Sequence, residues 1–211
     1  MKTVILLMCV FMAGTGVIQA KEKAPVTDGV FRLYYSSGAI MRESNYRNTE
    51  LDGTVQEFFE GGKMKSLTNY AMGRREGEAK VFYESGVVKM SGIYKANALE
   101  GTVKNYDKTG TLLKEETYDK GVLNGPAVVY FPSGVIQKQM MYKNAVLDGT
   151  LVEFLENGSS KLQESYRNGA LVATQMYDIK NNLTTKQPVA AVVKPKKENP
   201  GAQGGKGGGG C

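Results

Sequence analysis

The sequence predicts an all-β fold: an extended antiparallel meander of about six β-hairpin repeats, forming a single-layer sheet. Three observations carry this. A glycine recurs every 24 residues, at Gly29, Gly53, Gly77, Gly101, Gly125 and Gly149, each preceded by Asp, Glu or Asn. A second glycine stands nine positions after each, at Gly38, Gly62, Gly86, Gly110, Gly134 and Gly158, and a tyrosine eight further on, at Tyr46, Tyr70, Tyr94, Tyr118, Tyr142 and Tyr166. The runs between glycines alternate in polarity and are too short for a helix of ordinary length. A fixed period of roughly 20 to 50 residues marks stacked supersecondary units that bury apolar surface against their neighbours.

The chain begins with Lys2, an apolar run from Val4 to Met12, Gly14, Gly16 and the small-residue exit Ile18-Gln19-Ala20. This pattern predicts a signal peptide over residues 1–20, cleaved after Ala20, and so an exported protein: periplasmic, cell-surface or secreted. An uncleaved membrane anchor is the alternative, because Thr3 to Ala20 is just long enough to be weighed as a span. Cys9 follows Met8, where a lipidation site would need a small residue. Residues 21–27 then form a linker, and six copies run from 28 to 171.

Copy four, Glu100 to Leu123, shows the plan of each unit. A strand from Thr102 to Asp107 leads through Lys108-Thr109-Gly110 into a second strand from Thr111 to Tyr118, and a looser turn follows through Asp119-Lys120-Gly121. Gly110 and its equivalents suit the positive-φ place of a three-residue hairpin loop. The leading Asp-Gly, Glu-Gly and Asn-Gly pairs are expected to end the looser turn. Positions four, six and eight of a copy share a face, as in Phe31, Leu33 and Tyr35. The other face carries Arg32, Gln56, Lys80 and Lys104, then an aromatic at position seven: Tyr34, Phe58, Phe82, Tyr106, Tyr130 and Phe154. Neither face is wholly polar, so long charged stems, sheet twist or a partner must cover the apolar load.

Residues 172–185 read as a degenerate seventh copy that keeps Tyr177 and loses both glycines. Residues 186–211, with three prolines, clustered lysines and a glycine run ending on Cys211, are predicted to form a disordered tail. The whole chain has 27 basic and 21 acidic residues; without Lys2 and the tail's five lysines and one glutamate, residues 21–185 hold 21 against 20. A nearly neutral body excludes a nucleic-acid groove, which needs a concentrated basic footprint. The tail lysines suit a weak, salt-sensitive attraction to a membrane or wall surface. Cys211 has two readings: an attachment point or the link of a disulfide-linked dimer, and an incidental terminal thiol.

The chemistry of sites is sparse. The chain contains no histidine, and after processing Cys211 is its only cysteine, so no thiolate cluster, internal disulfide, metal site or cofactor is expected. Acidic residues such as Asp28, Asp52, Glu76, Glu100 and Asp148 recur at what read as turn positions. No nucleophile elbow, phosphate loop or calcium loop is present, so a non-enzymatic protein is expected. The aromatic rows have two readings: a platform for sugar or extended peptide, and packing of the tyrosines Tyr46 to Tyr166 on neighbouring hairpins. Variation sits at position six, which runs Leu33, Glu57, Val81, Asn105, Val129, Glu153.

The strings DGTVQEFFEGGKMKSLTNY, EGTVKNYDKTGTLLKEETYDKGVLNG and DGTLVEFLENGSSKLQESYRNGAL resemble the MORN-repeat variant found in the YwqK-type antitoxin family. The resemblance covers residues 28–171, and copy six departs from it with Ser160 where the others have Ile, Met, Val or Leu. It implies a β-hairpin array for protein interaction or scaffolding, with no catalytic residues to carry over. The leading expectation is an exported protein-binding or scaffold module whose partner is another protein. A carbohydrate or cell-wall module binding polysaccharide through the aromatic rows, and an antitoxin or immunity protein, are the alternatives.

Overall fold

The computed structural model describes residues 27–178, 180 and 183–188. The predicted signal peptide, the linker before residue 27, the tail beyond Pro188 and Cys211 lie outside the described residues. The strands are β1 Gly29–Tyr34, β2 Ile40–Arg47, β3 Glu50–Phe58, β4 Met64–Ala71, β5 Arg74–Phe82, β6 Val88–Lys95, β7 Ala98–Tyr106 and β8 Leu112–Asp119. They continue as β9 Val122–Tyr130, β10 Ile136–Lys143, β11 Val146–Leu147, β12 Gly149–Phe154, β13 Ser160–Arg167, β14 Ala170–Tyr177 and β15 Leu183–Pro188. They pair antiparallel in chain order across one open sheet, with the two-residue β11 pairing only with β10. This is the predicted all-β meander of hairpins about 24 residues apart.

Two kinds of turn alternate. The first is the predicted three-residue loop: in copy four, Asp107 N–H donates to the Thr111 carbonyl at 2.9 Å and Gly110 N–H to the Asp107 carbonyl at 3.2 Å. Gly110 has φ +91°, the left-handed residue that closes a type I turn followed by a bulge. The second turn is tighter than the predicted loose one. Asp119 pairs with Val122, leaving two residues between strands, and in the equivalent turn Ala96 and Asn97 have φ +49° and +72°. Paired positive φ values of this kind mark a type I′ turn, whose twist matches that of the flanking strands.

The leading glycines are also placed differently from the prediction. They do not end the turn; they lie inside the first strand of each copy, which starts earlier than expected, as β7 does at Ala98. The cause is a bulge. Between β8 and β9 the register runs Tyr118↔Leu123 and then Glu116↔Ala127, so Thr117 alone faces residues 124–126. Gly125 sits in that bulge at φ +126°, and a Cβ there would come 3.1 Å from Thr117 Cβ. On its other side Gly125 pairs directly with Tyr142. The same Gly–Tyr pairing recurs from Gly29↔Tyr46 to Gly149↔Tyr166, so each repeated tyrosine stands opposite the leading glycine rather than over a turn.

The seventh copy forms a hairpin, β14 to β15. Strand β15 reaches Pro188, so residues 186–188 belong to the sheet rather than to the predicted tail. In this copy the register slips by one residue instead of two, from Tyr166↔Leu171 to Leu162↔Met176. The shorter bulge brings Tyr177 opposite Leu183, the place that Phe58 holds opposite Met64. The core is thin: Val55, Ala79, Val103, Ala127 and Leu151, the fourth position of successive copies, are the buried hydrophobic side chains among the described residues. Among those residues no helix is long and apolar enough to cross a membrane.

Candidate functional site

Register sorts the side chains into rows that run across the strands, and each face of the sheet presents a different set. On the front face the buried row lies in the middle. Ala127, only 1% exposed, stands between Glu116 and Met140, whose longer side chains rise on either side. At Gly92 an added Cβ would meet Val103 Cγ2 at 3.1 Å and Leu99 Cδ2 at 3.5 Å, so neighbouring side chains lean over the glycine. A single-layer sheet thereby buries short residues under tall ones. Ser44, a buried polar residue in this row, accepts from Arg42 Nε at 3.0 Å.

Beside it runs the tyrosine row, which alternates with a leucine column that the sequence reading missed. Tyr46↔Leu51, Tyr94↔Leu99, Tyr118↔Leu123, Tyr142↔Leu147 and Tyr166↔Leu171 are paired across strands. The column has the same 24-residue period as the glycines and was visible in it. Arg75 interrupts it, opposite Tyr70, with its guanidinium carbon 4.2 Å from the Tyr94 ring centroid. Arg75 Nη2 also donates to the Asn97 carbonyl at 3.0 Å. Phe31 meets Tyr46 edge-on at 6.4 Å between ring centroids. Tyr166 donates to Glu164 at 2.8 Å; that bond first, and burial second, raise its pKa. Burial first, then the charge of Glu116, raise that of Tyr118. These contacts pack Tyr46 on Phe31, Tyr94 against Arg75 and Tyr166 beside Glu164.

The variable sixth position falls in the third front row. There the cross-strand order runs Leu33, Arg42, Glu57, Ser66, then Val81, Met90, Asn105, Lys114, then Val129, Lys138, Glu153, Leu162. Lys138 Nζ lies 2.7 Å from Glu153, Lys114 Nζ 2.9 Å from Glu116, and Ser66 donates to Glu57 at 3.0 Å. The row is half-buried, chemically mixed and different in every copy.

On the back face the position-seven aromatics pair with aliphatic residues, as in Phe82↔Val88 and Tyr106↔Leu112. In copy six Phe154 faces Ser160 instead. Next to them runs a central row that carries charge in copies one, three and four, with Arg32–Glu43 at 2.6 Å and Lys104–Glu115 at 3.1 Å, and is uncharged in copy two at Gln56 and Leu67. Tyr130 donates to Glu115 at 2.8 Å, and this bond is the largest cause holding the Glu115 carboxyl below its ordinary value. From β9 to β14 the row carries no charge, through Val128, Gln139, Val152, Gln163 and Gln175, and it meets Lys186 on β15.

The repeated carboxylates have a structural task. Asp28 accepts from Asn48 N–H at 2.9 Å, Glu76 from Ala96 N–H at 2.8 Å and Glu100 from Lys120 N–H at 3.0 Å. Each reaches from beside the leading glycine to the first residue of the type I′ turn that ends its own copy, satisfying an otherwise open donor. Among the described residues no group of three or more His, Cys, Asp or Glu side chains is arranged to hold a metal ion.

Five consecutive segments, 27–48, 51–72, 75–96, 99–120 and 123–144, match the family model of the MORN repeat variant. No curated protein sequence matches the chain. The family is not a known enzyme family. The matched segments all start just before or within the first strand of a copy and end in its type I′ turn, so sequence match and hairpin geometry mark out the same units. On both grounds, the chain belongs to the MORN repeat variant family.

Proposed function

We propose that this chain is an exported, non-enzymatic scaffold that holds another protein against the front face of its sheet. The observation that carries this reading is the mixed front row. The glycine, tyrosine and leucine columns repeat, and repeated residues build the sheet. The row from Leu33 to Leu162 changes in every copy and mixes apolar, polar and charged groups on a half-buried surface. Such a mixture suits an interface with a packed apolar centre and polar surroundings. Export rests on the N-terminal pattern from Lys2 to Ala20.

Site-specific photocrosslinking tests the reading. A crosslinker placed singly at Val81, Asn105 or Val129 and activated in native extract should give one discrete protein adduct. The charge reversals Lys114→Glu and Lys138→Glu, in exposed or half-buried groups away from the glycine bulges, should weaken that adduct without unfolding the sheet. No adduct from any of the three positions would remove the proposal.

A further inference from the structure

We propose a second binding site on the opposite face: a strip from β9 to β14 that takes an uncharged polysaccharide chain lying across the strands. The inference does not depend on the front-face reading. In copies one, three and four the charged groups of the back face are used internally, in Arg32–Glu43, Lys80–Glu78 and Lys104–Glu115, and a single uncharged copy, with Gln56 and Leu67, interrupts them. From β9 onward these pairs give way to valine and glutamine. Gln139 makes no side-chain hydrogen bond within the described residues, and Gln163 and Gln175 only accept, from the Tyr177 hydroxyl at 3.3 and 2.9 Å. Their amide N–H groups remain open. A shallow groove of about 490 Å³ opens beside Gln139 over β9, β10 and β12, lined by Pro126, Val128, Gln139, Met141, Thr150 and Val152 among others.

The rings Tyr130, Phe154 and Tyr177 flank this row on β9, β12 and β14, alternate strands of the sheet. Two strand spacings put successive rings about 9.5 Å apart, the order of a disaccharide unit in an extended glycan. Rings can take the C–H faces of a sugar, and open amides can bond its hydroxyls. A dry protein–protein core seated on the same strip would bury three glutamine amides without partners, each at the desolvation cost of an unmet donor. A neutral, hydroxyl-rich ligand meets both requirements and needs no counter-charge.

Affinity electrophoresis of the purified chain in gels containing hydroxyethyl cellulose, galactomannan or laminarin tests the assignment. Migration should be retarded by at least one of the three. Phe154→Ala and Gln163→Ala should each weaken that retardation roughly tenfold in apparent Kd, about 1.4 kcal/mol. Phe82→Ala, the equivalent ring in the copy that carries Lys80, should leave it unchanged, with circular dichroism confirming that all variants are folded. Unretarded migration in all three gels overturns the proposal, as does equal loss with Phe82→Ala. So does light scattering that finds the strip closed in a dimer which Gln163→Ala dissociates.

Discussion

At the scale of single residues, repetition of glycine has two separate physical causes. The glycine that closes each three-residue loop needs its left-handed φ, whereas Gly125 in the bulge needs both φ and space, because Thr117 lies beside it. Gly101 isolates the first requirement: its φ is +74° and a Cβ added there would meet nothing within 4 Å. Gly101→Ala should therefore cost about 1–2 kcal/mol of folding stability, the strain of a left-handed alanine. Gly125→Ala should cost about 1 kcal/mol more, since Thr117 must also move. Urea unfolding of the two variants checks the order; equal losses would mean that the bulge tolerates a side chain. The presence of these glycines was plain in the sequence. Their placement was not, because an Asp-Gly pair serves equally well in a turn or in a bulge, and only the pairing of Gly125 with Tyr142 distinguishes them.

At the scale of elements, neighbouring copies are joined by side chains that meet only through strand register. Glu115 on β8 meets Tyr130 at the end of β9 and Lys104 on β7, and its carboxyl is held low chiefly by the Tyr130 hydroxyl, with burial opposing and Lys104 assisting. A carboxyl depressed in the folded state contributes stability that is fully present above its ordinary value, 4.5, and is lost as pH falls through the lower folded value. Tyr130→Phe returns the carboxyl toward that ordinary value. The gap in Tm between the parent and this variant should therefore be wider at neutral pH than in strong acid. A gap that stays constant with pH would show that the hydroxyl acts without the charge. The leucine column belongs to this scale too: it was readable as a period, but Arg75 became a ring-stacking residue only when the register set it beside Tyr94.

At the scale of the whole molecule, the sheet is a linear array whose hairpins pair with their neighbours in chain order. Stability in such arrays is close to a sum over repeats and their interfaces. Ending the chain after Arg167 removes β14 and β15 and leaves β13 as the free edge. The shortened chain should remain folded, with an unchanged β signal per remaining residue, a midpoint lowered by a few degrees and a greater tendency to associate through its edge. Circular dichroism and light scattering report both changes. Complete unfolding would instead make the seventh hairpin an obligatory cap. That hairpin also shows where periodic reading stops: with its glycines gone, the copy looked decayed, yet a bulge one residue shorter keeps Tyr177 in the aromatic row.

The sequence by itself determined the repeating unit, the all-β class, the alternation of side chains between two faces and the family, because all of these follow from spacing along one chain. The tertiary structure decided which residues from different strands share a row: the tyrosine opposite the bulge glycine, the carboxylates capping turns 20 residues on, and the uncharged run of the back face from β9 to β14. The physical reason is the bulge. Each one shifts the register, by two residues between the earlier copies and by one between β13 and β14, so cross-strand neighbours cannot be counted from the period until the bulge has been located.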